Sequence, residues 1–417
     1  MPRLRRTRRF VALTCAAALA VGLAACSPEE AVTLDVPAQV DAALPSDTQA
    51  QLQAAVERAI AASGSSGAVV GVWVPWAGTW VTGLGSVQPD GSNTSADATF
   101  KAGYVTRAMT CDVLYGLAAD GVVALDDSVT EYVPGLTDLA DLTLSQLCDS
   151  TTGLGSYSTA LSSRFAAVPE RVWNPRELVG YGIETAKDVT PGTTFADADT
   201  NYALLGIALE RASKLSASEL YEKYVFGPLG MTASALPDTS TAQLNGLYSA
   251  NAEDGSVACD APTDVTDLSP SVGFTASGVI SDLTDLGRYT QALATGARPY
   301  DVVSRFADPM PASGDAPSWF TAKGGTYQAG TLIGQYGSIP GYLTAAFADQ
   351  NTGMTIVVAL NNSRASATLV RSLAWQLASI ASKTPAASGQ TAPDAGLPWT
   401  AEDMGAQVDA AAVCPLP

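Results

Sequence analysis

The chain has 417 residues, 41 of them acidic and 22 basic, and it contains no histidine. A net charge of −19 repels nucleic acid and anionic headgroups, so nucleic-acid binding is set aside. Without histidine there is no Ser-His-Asp or Cys-His catalytic arrangement and no His-based metal site, and neither metal nor cofactor is expected.

Five arginines fall in the first nine residues, and an uncharged apolar run follows from Phe10 to Ala25. These are the n-region and h-region of a secretory signal, and the run is short for a membrane-spanning helix. It ends in Leu23-Ala24-Ala25-Cys26, which resembles a bacterial lipobox. That resemblance implies a leader over 1–25, a lipid on Cys26 and an extracytoplasmic protein anchored to the cell membrane. Thr7-Arg8-Arg9-Phe10 is only faintly twin-arginine-like and does not choose an export route. Beyond Cys26 the chain holds 17 basic and 41 acidic residues, a net charge of −24. Such a charge suits a soluble body held near a membrane by a lipid, and equally a plain compositional bias.

Residues 26–45 read as a tether. Ser46 and Gln49 form a capping-box pattern that opens a helix, with Leu52, Val56 and Ile60 on one stripe. The run "AVVGVWVPWAGTWVTGLGSV" predicts a β-hairpin. Its Trp73, Trp76 and Trp80 fit cross-strand packing better than a sugar platform. From Phe100 the chain turns helical, with Gly121 as a stop. Further helices are predicted around 143–149, 200–213 and 215–226. Strands return in "GTLIGQYG", "YLTAAFA" and "GMTIVVALNN", a terminal helix spans about 365–381, and 386–417 reads as a loose Pro/Ala-rich tail.

This order predicts an α+β fold, with one antiparallel sheet formed from both chain ends, flanked by helices, and an inserted, mostly helical domain. The folded unit is expected over 46–385, with no internal repeat. Cys111, Cys148, Cys259 and Cys414 lack CxxC spacing, and an even number in an exported chain points to two disulfides. Of the three connectivities, Cys111–Cys148 and Cys259–Cys414 is the expected one.

Taken together, five segments resemble the serine β-lactamase and penicillin-binding protein superfamily, on its class C β-lactamase, DD-peptidase and esterase branch. They are "FKAGYVTRAMTCDVLYGLAADGVVALDDSVTEYVPG", "LTLSQLCDSTTGL", "PGTTFADADTNYALLGIALE", "YVFGPLGMTAS" and "IGQYGSIPGYLTAAFADQNTGMTIVVALNNS", in the family's order over about residues 50–382. The resemblance implies a β-lactamase/transpeptidase-like fold. It also implies a site with a Ser three residues before a Lys, a Tyr-x-Asn, and a Lys- or His-x-Gly strand.

Each of those side chains is replaced here. Tyr104 stands at the serine position and Arg107 at the lysine position, Asp197 and Asp199 at Tyr-x-Asn, and Gln335 ahead of Tyr336-Gly337. No Lys in the chain has a Ser three residues before it. Lys323-Gly324-Gly325 imitates Lys-x-Gly but precedes the matching strand and reads as a turn. Arg stays protonated and is no general base, and a phenol near pKa ~10 is mostly neutral at pH 7. If the aspartates approach Arg107, an ion pair should lower their pKa values and leave them poor bases. The leading expectation is an inactive homologue that acts as a binding or scaffold protein for a cell-wall peptide or a protein partner. The alternative is a rebuilt hydrolase with Tyr104 as nucleophile, its phenolate favoured by Arg107 and its proton taken by Asp197. A third reading places the nucleophile on Ser150 or Ser338.

Overall fold

A computed structural model describes residues 38–86, 94–186, 189–394 and 396–416. The leader, Cys26 and the first part of the expected tether lie outside the described residues. The rest of that segment does not hang free. Leu44 is buried and donates its N–H to the Thr79 carbonyl at 3.0 Å, and Gln39 Nε2 donates to the Val74 carbonyl at 3.0 Å.

Helix α1 (Ser46–Ser63) buries Leu52 and Val56, as the stripe predicts. The capping box does not form: Pro45 is the N-cap and Gln49 Nε2 instead donates to the Leu44 carbonyl at 2.7 Å. The hairpin is β1 (Gly67–Val74) and β2 (Gly78–Gly85), paired from Gly67↔Gly85 to Val74↔Gly78. Trp76 and Trp80 are buried in one core layer and Trp73 packs against the other, so all three serve packing.

The insert opens at β3 (Phe100–Lys101) and continues through α2 (Val105–Ala119), α3 (Val129–Tyr132), α4 (Leu144–Cys148), α5 (Tyr157–Ala167) and α6 (Pro175–Glu184). It goes on with α7 (Asp199–Ser213), α8 (Ala217–Tyr221) and α9 (Gly227–Leu229). The short strands β4 (Leu247–Tyr248), β5 (Thr263–Asp264) and β6 (Ile280–Ser281) flank α10 (Phe274–Ser277). Helices α11 (Leu283–Ala294) and α12 (Val302–Phe306) then lead back to the sheet. The chain finishes the sheet with β7 (Met310–Pro311), β8 (Phe320–Lys323), β9 (Thr326–Ala329), β10 (Leu332–Ile339), β11 (Tyr342–Asp349) and β12 (Thr355–Leu360).

The eight-stranded order is β2-β1-β12-β11-β10-β9-β8-β7, and its pairs are antiparallel. β1 pairs with β12 from Ala68↔Leu360 to Trp73↔Thr355, which joins the two ends of the chain as expected. Strand periodicity sorts the apolar side chains into two layers. Val69, Val357 and Ala359 face the helical insert, and Val70, Ile356 and Val358 face the terminal helices.

Helix α13 (Ala367–Ala381) lies on that second face, capped by Ser366, which accepts the Thr368 N–H at 3.2 Å. The loose tail is a correction, because α14 (Ala401–Ala410) follows. Thr400 and Asp403 make a capping box, Met404 and Val408 bury one face, and the Trp399 ring stacks on Trp375 at 4.8 Å. Pro/Ala composition masked a spaced apolar pair that needs only one turn of helix to become a face. Both expected disulfides are present, Cys111–Cys148 and Cys259–Cys414, with Cα separations of 5.6 and 5.8 Å.

Candidate functional site

Gly103, at φ +56°, turns the chain from β3 into α2 and leaves Tyr104 at the N-cap. The Tyr104 ring lies against β10, where a Cβ on Gly337 would sit 2.1 Å from its Cγ. Gly337 is therefore the notch that receives the ring. One helical turn later Arg107 is fully buried, its guanidinium carbon 3.3 Å from the Tyr104 ring centroid and 5.0 Å from that of Tyr202. Nε donates to the Ala276 carbonyl at 3.3 Å, Nη1 donates to Asp197 and Nη2 to Asp199. Fork, edge and face of the guanidinium are all occupied.

Ser150 delivers the carboxylates. Held at φ +54° and fully buried, its hydroxyl donates to the Ala196 carbonyl at 2.9 Å. It also accepts from the Ala198 N–H at 3.2 Å and from Asn201 Nδ2 at 2.8 Å. A hydroxyl so committed is a splint for the loop that carries Asp197. Asp199 opens α7, where the helix dipole favours a negative charge. Its second oxygen accepts from Ser158 Oγ, and its N–H donates to Ser156 Oγ at 3.2 Å. The Asp199 side chain is 3% exposed and that of Asp197 is 26% exposed, so Asp197 marks the solvent side.

Gln335 is buried, with Nε2 donating to the Gly325 carbonyl at 3.0 Å and Oε1 accepting the Tyr336 N–H at 2.8 Å. Lys323 ends β8 and Gly324-Gly325, both at positive φ, turn the chain into β9, with Lys323 Nζ 3.5 Å from Asp149. The turn reading of that triplet holds.

Burial raises the Tyr104 phenol well above its ordinary range; the charges of Asp199 and Asp197 add to this, and Arg107 only partly offsets it. That direction runs against a phenolate at Tyr104. Burial alone would lower the Arg107 guanidinium, yet Asp197, Tyr104 and Asp199 hold it above its ordinary value. Enclosure raises the Asp197 carboxyl despite the pull of Arg107, and the like charge of Asp199 adds to the rise. The expected fall of the Asp197 carboxyl is thus reversed, because desolvation of the charged form outweighs the pairing.

A cavity of about 110 Å³ remains beside the cluster, lined by Tyr104, Ser158, Asp199, Ser277 and Ser338 among others. It shares Ser162, Phe165, Ser338, Ile339 and Pro340 with a groove of about 440 Å³. Val265 and Leu268, in the loop after β5, form the far wall of that groove. β10 pairs with β9 only from Leu332 to Gly334, so among the described residues its stretch toward Ile339 has no strand partner on that side. Ser338 lies at the groove. The structure brings Tyr104, Arg107, Asp197, Asp199 and Gly337 together and turns Gln335 into the β8–β9 turn. Ser158, Tyr202 and the Ala276 carbonyl also belong to the cluster and were not legible as site residues; for Ser158 no motif points to it.

A family model described as Beta-lactamase matches residues 52–406. Among curated proteins, a D-aminopeptidase of Cereibacter sphaeroides is 28% identical over 136 residues, which is 32% of this chain and 26% of that relative's length. Among solved structures, a D-stereospecific amidohydrolase from Streptomyces sp. superposes with a TM-score of 0.66 at 24% identity, covering 75% of this chain and 94% of that one. A penicillin-binding protein homologue from Pyrococcus abyssi gives 0.66 at 18% identity, covering 80% and 77%. The structural likenesses concern the fold.

Proposed function

The chain belongs to the beta-lactamase family, and from that premise we propose an exported lipoprotein whose family site has become a binding or scaffold surface at the cell wall. The observation that carries the reading is Arg107. At the position where the resemblance places the helix lysine, it is buried under the Tyr104 ring and tied by Asp197 and Asp199. A guanidinium has donors only and keeps its proton, so it cannot take one from a neighbouring hydroxyl. The groove beside Ser338 and Phe165 remains open to a ligand, such as a cell-wall peptide.

The test treats the chain from Ser27 onward with fluorescent penicillin and a fluorophosphonate, reads intact mass, and assays nitrocefin and simple esters. No adduct and no turnover are expected. A stoichiometric adduct lost in Tyr104→Phe would overturn the proposal in favour of a tyrosine nucleophile, the rebuilt-hydrolase reading that relatives named as hydrolases keep in view. That reading has to form a phenolate that burial disfavours. An adduct that survives Tyr104→Phe would point to a serine at the cavity, with Ser338 and Ser158 the first to replace. The anchor is tested separately: lipid labelling of the full chain in a bacterial host should vanish in Cys26→Ser.

A further inference from the structure

A second cavity, of about 240 Å³, lies between α6, α7 and the turn after α3 and shares no lining residue with the cleft at Tyr104. Its walls are aliphatic, with Leu136 from the turn, Val179 and Ile183 from α6, and Leu204 and Ile207 from α7. At ~30 Å³ per water-sized group, it has room for a medium-length hydrocarbon chain.

Two guanidinium groups, Arg176 and Arg211, line the same space. Among the described residues neither arginine stands within ion-pair distance of a carboxylate. Arg211 Nη1 donates to the Tyr132 carbonyl at 3.0 Å, which fixes the guanidinium and leaves other N–H donors over. Glu210 lies within electrostatic reach of both arginines, yet its Oε1 accepts from the Ala217 N–H at 2.8 Å. Arg176 is exposed and Arg211 half-buried, and arginine forks bind carboxylates through bidentate, charge-assisted hydrogen bonds. Gly180 lines the cavity, and a side chain placed there has open space before it, since a Cβ would meet nothing within 4 Å.

We propose that this pocket binds an aliphatic monocarboxylate, its chain against Ile183, Leu204 and Ile207 and its carboxylate on Arg211 and Arg176. The pairing is of charge and shape together: an aliphatic amine would meet two cations, and an aliphatic alcohol would forgo the charge-assisted bonds.

The test uses the chain from Ser27 onward with labelled isoleucine δ1-methyls, titrated with octanoate, octan-1-ol and octylamine. Octanoate should shift the Ile183 and Ile207 methyls saturably, and octan-1-ol should bind at least about tenfold more weakly, the worth of one charge-assisted hydrogen bond. Arg176→Gln with Arg211→Gln should weaken octanoate by a similar factor. Gly180→Leu improves helix propensity and fills the space, so it should abolish the shifts while the other isoleucine signals stay in place. No shift at millimolar octanoate, equal binding of acid and alcohol, or an undiminished response in Gly180→Leu would each overturn the proposal. The last two comparisons decide the matter even if the double arginine variant fails to fold.

Discussion

At the scale of single residues, Arg107 is both the stabiliser and the hazard of this site. It is buried against Asp199, with Asp197 part-exposed on the solvent side, and the desolvation of these charges is offset only while the fork stays complete. Arg107→Ala is expected to cost about 3–5 kcal/mol in urea unfolding, since it leaves Asp199 charged and unpaired in the interior. Arg107→Met combined with Asp197→Asn and Asp199→Asn should recover most of that loss; if the triple variant is as unstable as the single, the ion cluster is not the cause. Gly337→Ala is a second case, because its methyl would strike the Tyr104 ring. We expect a cost of about 1–3 kcal/mol, relieved in a Tyr104→Ala background. Equal costs in both backgrounds would mean that the backbone, not the ring, objects. These positions were legible in the sequence because each sits inside a motif with fixed spacing. The pKa direction at Asp197 was not, since a sequence shows a partner but not how much water is lost in reaching it. Ser158 was not legible either, because a lone serine on an amphipathic helix carries no signal until the fold sets it against Asp199.

At the scale of elements, five strands of the sheet (β1, β2, β10, β11 and β12) and the helices α1, α2, α7 and α13 followed from periodicity, while β7, β8 and β9 and the helices α5, α6, α11 and α14 escaped it. Helix α11 offers Asp282 as N-cap, accepting the Asp285 N–H at 2.8 Å, and an apolar stripe of Leu283, Leu286, Tyr289 and Leu293, so its signal is present in the spacing. Helix α14 is short: Trp399, just before it, packs on Trp375 and Trp319, and its Met404 and Val408 join a core layer built from elsewhere in the chain. Its role is testable. Cys259→Ser with Cys414→Ser removes the tie between the loop after β4 and the C-terminal segment, which an unfolded-chain argument values at about 2–4 kcal/mol. The variant should melt earlier and be cut by trypsin-free proteases such as thermolysin before the rest of the domain. Truncation after Thr384 should go further, uncovering Trp375 and red-shifting tryptophan emission. Unchanged melting in both would make α14 an appendage rather than part of the core.

At the scale of the whole molecule, buried ionisable groups set how stability answers to pH, and Lys101 dominates the alkaline side of neutrality. It is fully buried in β3, its Nζ donating to the Thr266 carbonyl at 3.1 Å and the Leu268 carbonyl at 2.6 Å. Those carbonyls belong to the loop that walls the large groove, so one side chain links fold and candidate site. Burial brings the Lys101 ammonium down to about 7, against the upward pull of Asp267 and Asp264, from an ordinary value of 10.5. Between those values the unfolded chain holds a proton that the folded chain has released, so stability must rise with pH, by up to ~1.4 kcal/mol per unit. Below about 7 both states are protonated at Lys101, and this contribution is flat. Tyr104, Tyr202 and Tyr221 work the other way once unfolded phenols ionise near ~10, because burial raises all three in the fold. Urea unfolding from pH 6 to 11 should therefore show stability level, then climbing above about 7, then falling beyond ~10. Lys101→Met, which keeps the length of the stem and removes the amine, should flatten the climb and leave the fall beyond ~10 in place. A climb that persists in Lys101→Met would assign it to another group and separate the groove wall from the molecule's response to pH.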